Sequence, residues 1–207
     1  MTLSQIRSLV KRATGSDVAN MPDFSINQLI NLAQKEVVRQ TLCLNKNAAV
    51  TTVAAQEQYS LPSDFHKSTQ MKVGSVFLEY KLETYIDRLY TTTPDTGSPY
   101  YYYIDREADK YGLYPIPSGV ETGKFAYRAM PTAMTADADV PDISEMYHDL
   151  IVVGATYRVF EQLNKTDLYI NYFSMFKVML ADMANDLGIR QADDTPRMMT
   201  SQDILDA

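Results

Sequence analysis

The sequence predicts an α+β fold, mainly an α-helical bundle with a β-rich insertion between the N-terminal and C-terminal helices. Three observations carry this. Apolar residues recur at helical spacing at both ends of the chain; residues from about 47 to 140 change to short β-branched and aromatic runs broken by Pro and Gly; and the longest one-sided helix pattern lies in the C-terminal third. The expected division is residues 1–46 and 141–188 as the helical bundle, 47–140 as the β-rich insertion, and 189–207 as an extended tail.

Thr2-Leu3-Ser4-Gln5 has the form of a capping box, and Ile6, Leu9, Val10 and Ala13 share one helix face that stops near Gly15. Ser25-Ile26-Asn27-Gln28 reads as a second capping box, opening a helix with Ile26, Leu29, Ile30, Ala33 and Val37 on one side that runs to about Leu44. Beyond Lys46 the period changes. Ala49 to Ala54 and Tyr59 to Leu61 read as a small hairpin closed at Pro62, and Met71 to Tyr80 as a strand. Leu82 to Tyr90 has the length of a short helix, and Thr91 to Pro99 reads as an exposed loop. Strands near 100–105, 111–116 and 124–130 are expected to form an antiparallel meander, with Gly112, Gly119 and Gly123 at left-handed turns.

Ser144 to Leu163 is apolar on more than one face and should be covered on several sides. Gly154 and Ala155 allow close helix approach there. After a tight connection at Asn164 to Thr166, the residues Tyr169, Tyr172, Phe173, Phe176, Met179, Leu180, Met183 and Leu187 keep one helix face apolar for about five turns, ending at Gly188 as a left-handed cap. The two segments form an antiparallel hairpin, the expected structural centre.

The 207 residues carry 19 basic and 26 acidic side chains, a net charge of -7, with no basic stripe. That balance disfavours sequence-reading of duplex DNA and attraction to anionic lipid, both of which need clustered Lys and Arg. One cysteine, Cys43, excludes an internal disulfide and a cysteine-based zinc site, and reads as a buried small hydrophobe. A signal pattern and a bilayer-length apolar run are both missing, so the protein is expected to be intracellular or assembled inside a cell. His66 and His148 flank nothing resembling a triad or metal box; His148 reads as a hydrogen-bonded structural histidine. Asp137, Asp139 and Asp142 have cation-ligand spacing without the glycine and downstream glutamate of an EF-hand, and read as a solvated capping loop. The sequence therefore offers no catalytic, cofactor-binding or metal-binding residues.

Tyrosine is abundant, with 15 copies and a run from Tyr100 to Tyr103. Alternation sends Tyr100 and Tyr102 to one sheet face and Tyr101 and Tyr103 to the other, one pair toward the core and one toward the surface. Subunit contact and edge-strand aromatic packing stand as equal readings.

Tyr59-Ser60-Leu61-Pro62-Ser63-Asp64-Phe65, then Leu113-Tyr114-Pro115-Ile116-Pro117, then Phe125-Ala126-Tyr127 leading to Met130-Pro131, then Asp139-Val140-Pro141 before a long helical pair, form an ordered set. In that order the chain resembles the head-to-tail connector adaptors of tailed bacteriophages, also called tail tubular protein A or neck proteins. Physically, Pro62 ends a strand, Pro115 and Pro117 end an edge strand, and Pro141 begins the return to the bundle. The resemblance implies a structural virion protein without enzymatic activity or cofactor: an adaptor ring, usually dodecameric, that joins the portal to the tail and forms part of the DNA channel. Its implied partners are further copies of itself, the portal protein and a tail or nozzle protein. DNA passes through without sequence-specific binding and no membrane is involved. The implied location is the neck of the virion, assembled in the host cytoplasm, with Tyr59, Leu61, Pro62, Asp64, Phe65, Tyr114, Pro115 and Pro117 as structural motif residues. In such adaptors the C-terminal segment reaches toward the portal. Met198, Met199, Ile204 and Leu205 are the apolar anchors such a docking tail would use, with Asp203 among the acidic groups meeting a basic rim. A non-catalytic α+β binding or assembly module, and less so an enzyme, stand as alternatives.

Overall fold

Seven strands form the largest single feature of the fold. The computed structural model describes residues 1–15, 21–89 and 95–193, with side chains as far as 188. Along the chain run α1 (Leu3–Thr14), α2 (Asp23–Thr41), β1 (Asn45–Thr51), β2 (Gln58–Ser60), β3 (Phe65–Val73), β4 (Val76–Tyr80), α3 (Glu83–Leu89), β5 (Thr96–Gly97), β6 (Tyr101–Asp105), β7 (Lys110–Tyr114), β8 (Ile116–Pro117), β9 (Thr122–Ala129), α4 (His148–Gln162) and α5 (Thr166–Asp193). The sheet order is β1-β9-β3-β4-β6-β7-β2, and β5 pairs separately with β8. The fold is thus mixed α/β with a large sheet, correcting the expectation of a mainly helical bundle with a β-rich insertion. That expectation rested on local hairpins. Instead β1 pairs antiparallel with β9 from Asn45↔Arg128 to Thr51↔Thr122, and β2 pairs with β7, so distant segments join into one surface.

Two compact units are present: Leu44–Thr132, and Met1–Cys43 together with the chain from Ala133 onward. In the sheet unit, β3 and β4 form a hairpin turning at Gly74, where a positive φ of 56° suits glycine. The helix α3 links β4 to the parallel strand β6, so it covers the face of the sheet opposite the main core. Both faces are consequently buried near the tyrosine run. Tyr102 joins Val50, Met71, Leu113 and Phe125 on the main core face, while Tyr103 packs with Ile86 and Tyr114 beneath α3. Tyr100 remains exposed and Tyr101 half-buried. The expected meander holds for β6 with β7 and fails at β9, which lies between β1 and β3.

In the helical unit, the α1 capping box forms as read, with Thr2 accepting from the Gln5 backbone and the Gln5 side chain accepting from Thr2 N–H at 2.9 Å. The second expected capping box does not. Helix α2 starts at Asp23, three residues before the expected Ile26, and the Asp23 carboxylate pairs with Lys11 and with Arg7 at 3.5 Å and complements the helix dipole. Helix α2 ends at Leu42 in a left-handed conformation, and Cys43 lies half-buried just past it. Helix α4 is buried from Leu150 to Phe160 apart from Val152 and Arg158, packed by α1, α2 and α5. Gly154 explains the closeness of that packing: a Cβ there would lie 2.9 Å from the Phe176 ring and 3.1 Å from Ala33. Tyr157 meets Tyr169, Phe173 and Phe176, and Phe160 meets Tyr172, the pattern of an antiparallel pair. Gly188 does not cap α5, which continues to Asp193.

Candidate functional site

The motif residues are all in the sheet unit, and their side chains hold the sheet together. Tyr59 on β2 stacks on Tyr111 of β7 at 5.4 Å, and its hydroxyl donates to the Gln56 carbonyl at 3.0 Å while accepting from Val53 N–H. Leu61 packs against the main core, and its N–H donates to the Asp109 carbonyl at 2.9 Å. Pro62 supplies the carbonyl that accepts from Phe65 N–H, forming the turn into β3. Phe65 then lies 5.7 Å from Phe125 and 5.9 Å from Tyr127.

Asp64 is the centre of this group. Its carboxylate accepts from Lys46 Nζ at 2.8 Å and from the Tyr127 hydroxyl at 2.8 Å, and its carbonyl accepts from Met130 N–H at 2.7 Å. Burial acts to raise its pKa, but hydrogen bonds from Lys46 and Tyr127 overcome it and hold the carboxyl below its ordinary value. Tyr127 responds in the opposite sense: burial, and then the bond to Asp64, push its hydroxyl up to about 12. One charged group thereby ties β1, the turn before β3, and β9.

Tyr114 closes β7 beneath α3, its hydroxyl donating to Asp95 at 3.0 Å, and the Tyr114–Pro115 peptide bond is cis. Pro115 and Pro117 are buried, and the Pro117 carbonyl accepts from Ala55 N–H at 2.9 Å. They do not follow an edge strand, because β2 covers the outer side of β7. Gly112 and Gly123 lie inside strands, not at left-handed turns. Each admits a close neighbour: the Tyr103 ring over Gly112 and the Lys72 carbonyl against Gly123.

His148 is buried at the start of α4, where Nε2 donates to the Ile143 carbonyl at 3.0 Å and Nδ1 lies 2.8 Å from the Met1 amino group. His66 is half-buried in β3, in the other unit. Asp137 pairs with Arg7 at 2.7 Å, while Asp139 accepts from the backbone of Ala136 and Thr135, bonds that keep its pKa low. Among the described residues no group of three or more His, Cys, Asp or Glu side chains is placed to hold a metal ion.

The sequence reading missed surfaces more than sites. Helix α5 carries a second apolar stripe, Leu168, Met175 and Val178, which is exposed on the side away from its core-facing residues. On α1, Leu9 and Ala13 do not reach the core as expected. They line a groove of about 590 Å³ with Val152 and Val153 of α4, whose walls are mainly apolar, with Arg12 and Asp149 beside them. In the sheet unit Phe77, Leu82 and Tyr85 are exposed, and Lys81 lies over the rings of Tyr85 and Tyr101 at 5.3 and 5.1 Å. The signal for the second stripe is the spacing of Leu168, Met175 and Val178 at i, i+7 and i+10, a second apolar line beside the core-facing one. Met198, Met199, Asp203, Ile204 and Leu205 lie outside the described residues.

No helix among the described residues is long and apolar enough to cross a membrane. No curated protein matches the sequence. A family model, described as SU10 adaptor protein, matches residues 1–202. The match along nearly the whole chain leads to one assignment: the chain belongs to the SU10 adaptor protein family, a family of phage head-to-tail adaptors.

Proposed function

We propose that this chain forms a closed homo-oligomeric ring in the neck of a tailed phage, joining the portal to the tail and contributing to the wall of the DNA channel. The family match over residues 1–202 carries the reading. Members of the family are phage structural adaptors, virion components associated with other head and tail proteins. The net charge of -7 supports a channel role, because an acidic lining leaves phosphates unbound and lets duplex DNA slide. Exposed apolar side chains in both units supply surface for protein partners. The segment 189–207 is proposed to dock on the portal through Met198, Met199, Ile204 and Leu205, with Asp203 toward a basic rim.

Electron cryomicroscopy of purified virions tests the reading. It expects density for multiple copies arranged around the neck axis, in contact with the portal on one side and a tail or nozzle protein on the other. A single copy at the neck, or absence from the particle, would sink it. Removal of Thr195 to Ala207 is expected to abolish stable portal binding while leaving the helical unit folded; unaltered affinity would remove the tail assignment.

A further inference from the structure

The helical unit presents two apolar surfaces, the exposed stripe on α5 and the groove between α1 and α4. Leu168, Met175 and Val178 lie along one line of α5, spanning about 15 Å, and Asp182 continues the line one turn further. The groove has Leu9 and Ala13 on one wall and Val152 and Val153 on the other. Arg12 stands at its rim. Neither Arg12 nor Asp182 forms an ion pair among the described residues, although Arg7, Lys11 and Arg158 in the same unit all do. The ridge thus ends in a carboxylate and the groove is edged by a guanidinium, opposite charges at the ends of two apolar surfaces.

We propose that the α5 ridge of one copy seats in the α1/α4 groove of the next, with Asp182 reaching Arg12 across the contact. This rests on the self-association proposed above and assigns it to named surfaces. The ridge and the groove are different surfaces of one unit, so the contact is heterologous. Each copy keeps one free ridge and one free groove, which is how a contact of this type propagates until a ring closes. Asp149, also in the groove, accepts from the Leu150 N–H, and the contact seats Asp182 toward Arg12 and away from that carboxylate, while Lys177 of α5 lies over Phe173.

The test uses the full-length chain, alone and on purified portal protein, with light scattering to measure assembly and melting curves to verify folding. Arg12→Asp and Asp182→Arg are each expected to weaken self-association about tenfold or more, and the double exchange to restore it. These residues are exposed, so folding is expected to survive. Leu9→Asp and Val178→Asp are each expected to block assembly. Mixed together they form a dimer and nothing larger, because one intact ridge and one intact groove remain. Assembly of the wild type that none of these variants alters places the contact elsewhere and overturns this inference while leaving the ring intact. Ridge variants that assemble normally but lose a different tail protein assign the ridge to that protein, and equally overturn it. A wild type that stays monomeric both alone and on the portal overturns the ring itself.

Discussion

The ring of Tyr103 lies over Gly112, its cross-strand partner, so closely that a Cβ on Gly112 would stand 2.1 Å from the ring. The glycine is a space requirement and not a turn signal. Gly112→Ala must displace Tyr103, whose hydroxyl donates to Glu57 at 2.6 Å, and with it the small core under α3. A loss of about 1–3 kcal/mol is expected by chemical denaturation. Gly119→Ala, where nothing stands within 4 Å of the added Cβ, is expected to change stability by less than about 0.5 kcal/mol. Equal effects of the two substitutions would contradict the packing account.

Glu36 of α2 accepts from the Tyr157 hydroxyl at 2.9 Å and pairs with Arg158, both on α4, with the Glu36 and Arg158 side chains only 17% and 13% exposed. Burial and then the Glu36 bond keep the Tyr157 hydroxyl protonated well above its ordinary range, although Arg158 acts against this. Glu36→Ala leaves a mostly buried guanidinium without its carboxylate, held by the Gly154 carbonyl and the face of the Tyr157 ring. A loss of about 3–5 kcal/mol is expected. Thermal melting of Glu36→Ala beside Glu36→Ala/Arg158→Met checks this: the double variant should recover part of the loss, and failure to do so would show that the charge is not the cause.

Asp64 sets an acid dependence. Its folded pKa is depressed, so its contribution is present above the unfolded carboxyl pKa and is lost as pH falls through that value toward the folded one. Asp64→Asn is expected to cost about 1 kcal/mol at neutral pH, discounted because Lys46 and Asp64 are 40% and 27% exposed. The gap between wild type and variant should be flat above about pH 5 and shrink below about pH 4. Denaturation curves across that range decide it; a gap that widens in acid would be the wrong sign.

At the alkaline end, burial pushes the Tyr111 and Tyr127 hydroxyls up to about 12. A raised folded pKa gives stability that is complete below the unfolded value of about 10 and disappears as pH climbs to the folded value. Ultraviolet difference spectra should therefore show these tyrosines ionising together with unfolding of the sheet between about pH 10 and 12. Tyr127→Phe should ease that alkaline loss and weaken the sheet at neutral pH, where Asp64 loses a donor.

Helix α5 was legible because its core face keeps a strict 3.6-residue period from Tyr169 to Leu187, and the α1 cap because four adjacent residues complete it. The sheet was not. Local alternation marks strands but says nothing about register between β1 and β9, or that β2 would leave β1 for β7. The burial of both Tyr102 and Tyr103 depends on α3 crossing the far face, a tertiary fact absent from the alternation itself. Motif residues could be picked out in order, yet the role of Asp64 depends on Lys46 and Tyr127, 18 and 63 residues away. Ser25 lost its expected capping role because Asp23 finds Lys11 and Arg7, which no local pattern on α2 reveals.

Because Leu44–Thr132 interrupts the helical unit, α2 leaves the ribosome roughly 105 residues ahead of α4. At about 5–20 residues per second, Ile6, Val10, Ile30 and Val37 wait several seconds in water for the surfaces that will cover them. The sheet unit, continuous in the chain, can be finished in that interval. A nascent chain of this protein is therefore expected to pass through a stage in which the sheet unit is folded while α1 and α2 still lack the surfaces of α4 and α5.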